Sequence, residues 1–393
     1  MTTERPLHIL ILSDRDWTHP QGGGTGTNLF GQVSRWIAWG HRVSVIACSY
    51  PGAAPVEHIG ALTLYRAGGR STVFPRTILR QWRRLVPDAD VVLEVVNGVT
   101  FLTPLWLRTP RLTLVHHIHR DHYVREMGRA GRVAAFFLET LPLHLLYRRS
   151  RFLTISHASA RDIARHGIAP ERIEVGYIGV ELDAFEPKPE ARSPVPTILY
   201  LGRLKRYKRI EVLLGALERT PEAVLEIAGD GDHRPALEAE IERRGLADRV
   251  RLHGHVTEER KRELYQQAWV NATASSAEGW ALSVMEAAAC ATPTAALAVG
   301  GVQESVEDGR TGLLAKDADE LAERIQLILR DPELRDSLGA AALERAHAFT
   351  WDACARRTLE VLEAQVAAAG GGPHGDTAGA LGASAPAPDR TQV

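Results

Sequence analysis

Short apolar runs of β character alternate with helix-length stretches along this chain, and the whole alternation happens twice. In the first half the runs are HILIL (8–12), VSVIA (43–47), LTLY (62–65), VVLEVV (91–96), LTLVH (112–116) and FLTIS (152–156). In the second they are TILYLG (197–202), VLEIAG (224–229), VRLHG (250–254), VNATA (270–274) and TAALA (294–298). Strands alternating with helices imply parallel sheets covered on both faces. The pattern therefore predicts an α/β chain of two Rossmann-like, doubly wound parallel-sheet domains. The length of 393 residues agrees, being too great for one ordinary core. FEPKPEARSPVPT (185–197) holds four prolines and can join neither a helix interior nor a central strand. It predicts a linker at 186–196 between domains at 1–185 and 197–348. The tail, 366–393, is mostly Ala, Gly, Pro, Thr and Ser from about Ala367 on. Such a composition cannot bury a core, and disorder is expected.

Charge divides the same way. Residues 1–190 carry 23 Lys and Arg against 17 Asp and Glu, and the remainder 24 against 31. A net charge of −1 gives no general signal for nucleic acid or an acidic substrate. The basic and acidic halves fit domains facing different partners. Cys48, Cys290 and Cys354 are far apart, with neither metal-ligand nor disulfide spacing, which fits a reducing cytoplasm. The first apolar run is too short for a signal h-region or a membrane span.

Open parallel sheets bind ligands at the carboxyl ends of their strands. Two such domains in tandem are expected to put two of these edges across a cleft. Four motifs lie just after strands. In SDRDWTHPQGGGTGTNLFGQ (13–32) a glycine cluster precedes a helix expected from about Asn28. Glycines there, Gly23 and Gly24 among them, let backbone N–H groups approach a phosphate. A turn that binds nothing fits the same residues. The spacing is not G-x-G-x-x-G and no acid closes the second strand, so a nicotinamide cofactor is a poor fit.

In YLGRLKRYKRIEVLLGAL (200–217), Arg203 and Lys208 flank a turn into a helix, an arrangement suited to a diphosphate. A solvated basic loop would read alike. IAGDGDHRPALEAEI (227–241) makes a tight turn at the same edge, with Asp232 placed for a pocket or for a helix cap. In AEGWALSVMEAAACATP (277–293), Glu278 precedes a helix and Glu286 lies within it. Eight helical residues span roughly 12 Å. That is too far for the about 5 Å pair of a retaining glycosidase, and suits two grips on one elongated ligand. Glu278 as a cap and Glu286 as a surface charge is the plainer alternative. However, Leu282, Val284, Met285 and the alanines make the helix apolar nearly all round, so a carboxylate there needs a partner.

EGWALSVMEAAACATP resembles the E-x7-E signature of the retaining family 4 glycosyltransferases of GT-B architecture. The resemblance covers most of residues 7–365, through GGG…GH (22–41), YIGVELDAFEP (177–187), YLGRLKRYKR, IAGDGD, LHGHVTEERKRELYQQAWV and VGGVQESVEDGRTGLL (299–314). Departures are Ala281 and Ala291 where glycine is usual, and Tyr177-Ile178-Gly179-Val180 in place of Asn-Gly-Val. The resemblance implies that Glu278 holds the donor sugar's hydroxyls and Glu286 the ribose. It implies that backbone N–H groups at Trp280, Ala281 and Leu282 face sugar and diphosphate, and that Arg203 and Lys208 neutralise the departing diphosphate. No cofactor or catalytic metal is implied, and no D-x-D motif clearly offers a metal site. On the acceptor side, LTLVHHIHRDHYVRE (112–126) supplies His119 as the first choice, then His116 and His117, with Asn97 of VVNGVTFLTPLW (95–106) as a further contact. FTWDACARRTLEVLEAQ (349–365) would be a helix returning to the first domain.

The implied activity is transfer of a hexose, with retention, from GDP-mannose, UDP-glucose or UDP-N-acetylglucosamine to a hydroxyl of a glycan or a lipid-linked sugar, as in polysaccharide biosynthesis. A nucleotide-sugar epimerase or hydrolase, or a non-catalytic nucleotide-sugar binder, would use the same grip. Arginines at 76, 80, 83 and 84, and again at 125, 129 and 132, accompany the apolar VAAFFLETLPLHLLY (133–147). They suggest a membrane-surface patch on an otherwise cytoplasmic protein, or a core helix with a basic exposed face.

Overall fold

The computed structural model describes residues 5–81, 86–118 and 120–369. It divides into two compact units, one ending at Tyr177 and resuming at Trp351, the other Ile178–Thr350. The first unit holds an eight-stranded sheet of order β3-β4-β2-β1-β5-β6-β7-β8. Its strands are β1 (His8–Leu12), β2 (Arg42–Ala47), β3 (Val56–Ile59), β4 (Leu62–Arg66), β5 (Val91–Val96), β6 (Arg111–Val115), β7 (Phe152–Thr154) and β8 (Ile173–Val175). All neighbours are parallel except β3 and β4. Successive residues of a strand face opposite sides. Ile9, Ile11, Val43 and Val45 accordingly join one core, and Leu10, Leu12, Ile46 and Val92 the other. From β1 the chain builds outward through β2, then returns to place β5 on the opposite side of β1. The gap between the ends of β1 and β5 is therefore a topological switch point.

Helices Gly23–Ala38 and Trp351–Ala368 pack on this unit. They meet where a Cβ on Gly31 would come within 2.3 Å of the Trp351 ring, so only glycine fits. Trp36 Nε1 donates to Ala355 O at 2.9 Å.

The second unit holds a parallel sheet of order β11-β10-β9-β12-β13-β14. Its strands are β9 (Thr197–Leu201), β10 (Val224–Ala228), β11 (Val250–Gly254), β12 (Val270–Thr273), β13 (Thr294–Leu297) and β14 (Gly312–Ala315). Its switch point lies between β9 and β12. Ile198, Leu213, Leu214, Leu225, Val270 and Ile325 are among the side chains of its core.

Strands β3, β8 and β14 are absent from the sequence reading. Each has only three or four residues, too few to establish a period, and each lies at a sheet edge. The first helix begins at Gly23 rather than near Asn28, so the glycine cluster forms its first turn instead of preceding it. The proline-rich run differs from a free linker. Pro189–Ala191 is a 3-10 turn, Ser193 N donates to Gln267 O at 3.0 Å, and Trp269 Nε1 donates to Ser193 O at 2.8 Å. Arg192 pairs with Asp336 at 2.6 Å. Prolines remove donors but leave carbonyls and neighbouring side chains able to bind, and these fasten the run to the second unit. The final helix continues to Ala368, past the expected start of the tail, and 370–393 lie outside the described residues.

Candidate functional site

The loops that leave β9 and β12 meet at the switch point of the second sheet. Ser276 N donates to Tyr207 O at 2.8 Å, tying them backbone to backbone. Across this junction Lys208 Nζ pairs with Glu278 Oε1, which also accepts from Ser275 Oγ at 2.7 Å. Both side chains are largely buried, 16% and 13% exposed. Burial pulls the Lys208 ammonium down, yet Glu278 and the Tyr207 phenol outweigh it and leave its pKa above the ordinary value. A buried cation with a carboxylate partner stays charged. Arg203 sits on the same loop with its side chain exposed, and among the described residues it makes no ion pair. The loop thus carries two balanced cations, Lys205 and Lys208, and three exposed arginines, Arg203, Arg206 and Arg209, that make no ion pair among the described residues. Asp232 caps no helix; it pairs with Lys205 at 2.8 Å, and His233 occupies the cap position.

Glu286 is buried in the helix Leu282–Ala289, and both of its oxygens are held. Lys261 Nζ lies 2.8 Å from Oε1, and Tyr265 Oη donates to Oε2 at 2.9 Å. Lys261 and Tyr265 stand one helical turn apart on Glu258–Gln267 and so share a face. Burial lowers the Lys261 pKa, but Glu286 and Glu258 overcome it and hold it above the usual lysine range. Burial, with Glu286 close by, pushes the Cys290 thiol up to about 12, which keeps it an unreactive thiol.

The helix bearing Glu286 starts at Leu282 with no side chain capping it; Val284 N donates to Ala281 O at 3.0 Å, and the positive end of the helix dipole lies at this turn. Ala281 is the N-cap, and Trp280 is buried with its ring 5.3 Å from that of Phe349. Four loops nest here by main chain alone. A Cβ on Gly229 would meet Gly202 O at 2.0 Å, one on Gly231 Leu204 O at 2.1 Å, one on Gly300 Glu278 O at 2.3 Å, and one on Gly301 Gly279 O at 2.0 Å. Gly301 N donates to Glu278 O at 2.8 Å. After the helix, Ala291 adopts φ +54°, a left-handed conformation that favours glycine.

At the switch point of the first sheet the groups are different. Asn97, beyond β5, donates from Nδ2 to Asp14 Oδ1 beyond β1 at 2.8 Å, and accepts from Thr25 Oγ1 at 3.4 Å. Arg15 Nε binds the other Asp14 oxygen at 2.9 Å. Gly23 and Gly24 are exposed in the first helical turn, and nothing lies within 4 Å of a Cβ built on Gly24. His116 is buried; Asn28 Nδ2 donates to its Nε2 at 2.8 Å, and Ser159 Oγ to its carbonyl at 2.8 Å. His117 is exposed, and His119 lies outside the described residues.

The structure therefore joins Glu278 directly to Lys208 and leaves Arg203 free on the same loop. It gives Glu286 partners that the sequence reading did not name. The signal for them was present: Lys261 and Tyr265 at i and i+4 within ERKRELYQQ. Asp14 and Asn28 carried no comparable signal, since only the sheet order brings them beside Asn97 and His116. Among the described residues, no group of three or more His, Cys, Asp and Glu is placed to hold a metal ion, and no helix is long and apolar enough to cross a membrane.

Two family models match in succession: glycosyltransferase family 4 over 22–184 and glycosyl transferases group 1 over 183–345. A D-inositol 3-phosphate glycosyltransferase of Kribbella flavida is 33% identical over 233 residues, covering 53% of this chain and 55% of that protein. The chain thus spans about half the length of such curated relatives. Among solved structures, sucrose-phosphate synthase from Thermosynechococcus elongatus superposes with a TM-score of 0.80 at 25% identity, over 93% of this chain and 100% of the other. Anabaena Alr3699/HepE in complex with UDP-glucose superposes at 0.73 with 18% identity, over 91% of this chain and 100% of that one, a likeness of fold.

Proposed function

The chain belongs to the family 4 glycosyltransferases of GT-B architecture, and from that premise we propose that it transfers a hexose from a nucleoside diphosphate sugar to a hydroxyl acceptor, with retention of configuration. The observation that carries this reading is the Lys208–Glu278 pair across the second switch point, with the uncompensated Arg203 beside it. A nucleoside diphosphate brings negative charge to where those two cations stand. The sugar brings hydroxyls, which a carboxylate such as Glu278 accepts well.

In the free protein Glu278 keeps Lys208 charged and in place. A bound donor offers diphosphate oxygens to Lys208 and Arg203 and sugar hydroxyls to Glu278. As the bond between C1 and the diphosphate oxygen breaks, charge grows on that oxygen, and the two cations and the uncapped helix stabilise it. The acceptor hydroxyl attacks C1 from the face the diphosphate leaves, and the departing phosphate oxygen takes its proton. No metal is needed in this scheme, because the cations are side chains. Glu286, held by Lys261 and Tyr265, keeps spare lone pairs for the ribose. The first unit takes the acceptor, with Asn97 and His119 as its contacts.

The test is a thermal-shift screen against GDP-mannose, UDP-glucose, UDP-N-acetylglucosamine, GDP and UDP, then product analysis with the stabilising donor. A ligand at 100 times its Kd adds about 2.7 kcal/mol to the folded state. One base should stabilise the protein, and the product should keep the donor's anomeric configuration. An inverted product, or donor turnover without transfer, rejects the proposal.

A further inference from the structure

The segment from Arg129 to Leu145 is a continuous helical run, closed by a turn through Arg149, and it turns an unusual face outward. It comprises a helix ending at Ala135, a wide π turn at Phe136–Thr140 and a further helix at Leu141–Leu145. The wide turn comes just before Pro142, which has no N–H to offer the carbonyl of Leu138. Gly131, Ala135, Glu139, Leu143 and Tyr147 are buried, four residues apart each time, and form the inward stripe. The opposite face is apolar as well. Ten large apolar side chains are exposed among the described residues, and five of them lie here: Val133, Phe136, Phe137, Leu138 and Leu145, each 41–59% exposed.

The charges around them have one sign. Arg129, Arg132, Arg148 and Arg149 are exposed, and among the described residues none is in an ion pair. The only acid between Arg129 and Arg149 is Glu139, which is buried. An exposed apolar ridge is costly in water. A stretch whose exposed charges are all arginine makes an electrically neutral partner a poor fit and an anionic one a good fit. Arginine beside exposed phenylalanine on a helix face is the chemistry of a bilayer interface carrying anionic lipid.

We propose that this segment docks the first unit onto an anionic bilayer surface, with Phe136 and Phe137 entering the interface and the four arginines binding lipid phosphates. Docking does not depend on the reaction assigned above. The test is co-sedimentation of the full chain with vesicles of phosphatidylcholine, with and without phosphatidylglycerol. Binding should rise on the order of tenfold or more with the anionic lipid and fall as salt is raised. The double variant F136S/F137S should weaken it by about tenfold at an unchanged melting temperature. If that variant does not fold, R129Q/R132Q/R148Q/R149Q decides alone, since all four side chains are exposed; it should abolish the preference for phosphatidylglycerol. Equal binding to both vesicles, or no binding, overturns the proposal, as does an F136S/F137S protein that folds and binds like the parent. Capture on polyglutamate without vesicle binding also overturns it, in favour of an acidic protein partner.

Discussion

The two switch points occupy the same place in two similar sheets, yet they are built from different chemistry. At the second, a lysine and a glutamate form a buried ion pair, arginines of the same loop make no ion pair among the described residues, and a second lysine–glutamate pair joins two neighbouring helices. At the first, Asp14 pairs with its neighbour Arg15 and is bridged by the Asn97 amide, and Asn28 binds a buried histidine. Fold alone therefore does not set what such an edge binds. Cations balanced by carboxylates across neighbouring loops and helices suit a ligand that arrives and leaves with changing charge. Amides suit a ligand read by its hydroxyls.

The contrast can be broken most sharply by removing one group from each edge. Lys208→Ala should lower turnover by about 10²–10³, the usual loss for one electrostatic stabiliser. Asn97→Ala should cost only about tenfold and appear in the acceptor KM. Equal losses in steady-state kinetics would show that the edges do not differ as described. Next in size is Glu286→Ala, which leaves Lys261 buried with only Glu258 and strips the Tyr265 hydroxyl of its acceptor. A loss of about 3 kcal/mol is expected in chemical denaturation, and Glu286→Gln should lose less because Tyr265 keeps a partner.

Alkaline pH sharpens the comparison further. The Lys208 pKa is raised in the folded state, so the pair's contribution is complete below the ordinary 10.5 and is lost as pH rises through the raised value. Wild-type stability should fall in that range relative to Lys208→Met, while Asn97→Ala should track the wild type because an amide does not titrate. Parallel curves for wild type and Lys208→Met would remove the ion pair from the account. The smallest effect belongs to the scaffold. Ala291→Gly should raise stability by about 1 kcal/mol by relieving the left-handed backbone, with turnover unchanged.

Much of the fold was legible in the sequence because a central parallel strand is apolar throughout. All the runs so read are strands, differing by a residue or two at their ends. Edge strands of three or four residues escaped, having no period to show. The proline-rich run joins neither a helix interior nor a central strand, as its prolines require, but its fastening to the second unit was hidden, because proline reports what a backbone cannot donate and not what its carbonyls and neighbours accept. At the site, Glu278 and Lys208 were legible one by one, since each follows a strand. Their direct pairing depends on β9 and β12 being neighbours, which spacing does not reveal. The Asn28 partner of His116 was hidden in the same way, since only the packing of the first helix on the sheet brings the two together.

The nested glycines carry a consequence for how such a site can diversify. Where Gly229, Gly231, Gly300 and Gly301 press on neighbouring carbonyls, no side chain can be admitted without displacing main chain. A saturation library over the second unit should therefore find these four positions nearly immutable. Variation would be left to the side chains around them, so a lineage could change what the edge meets while inheriting this main-chain frame unchanged.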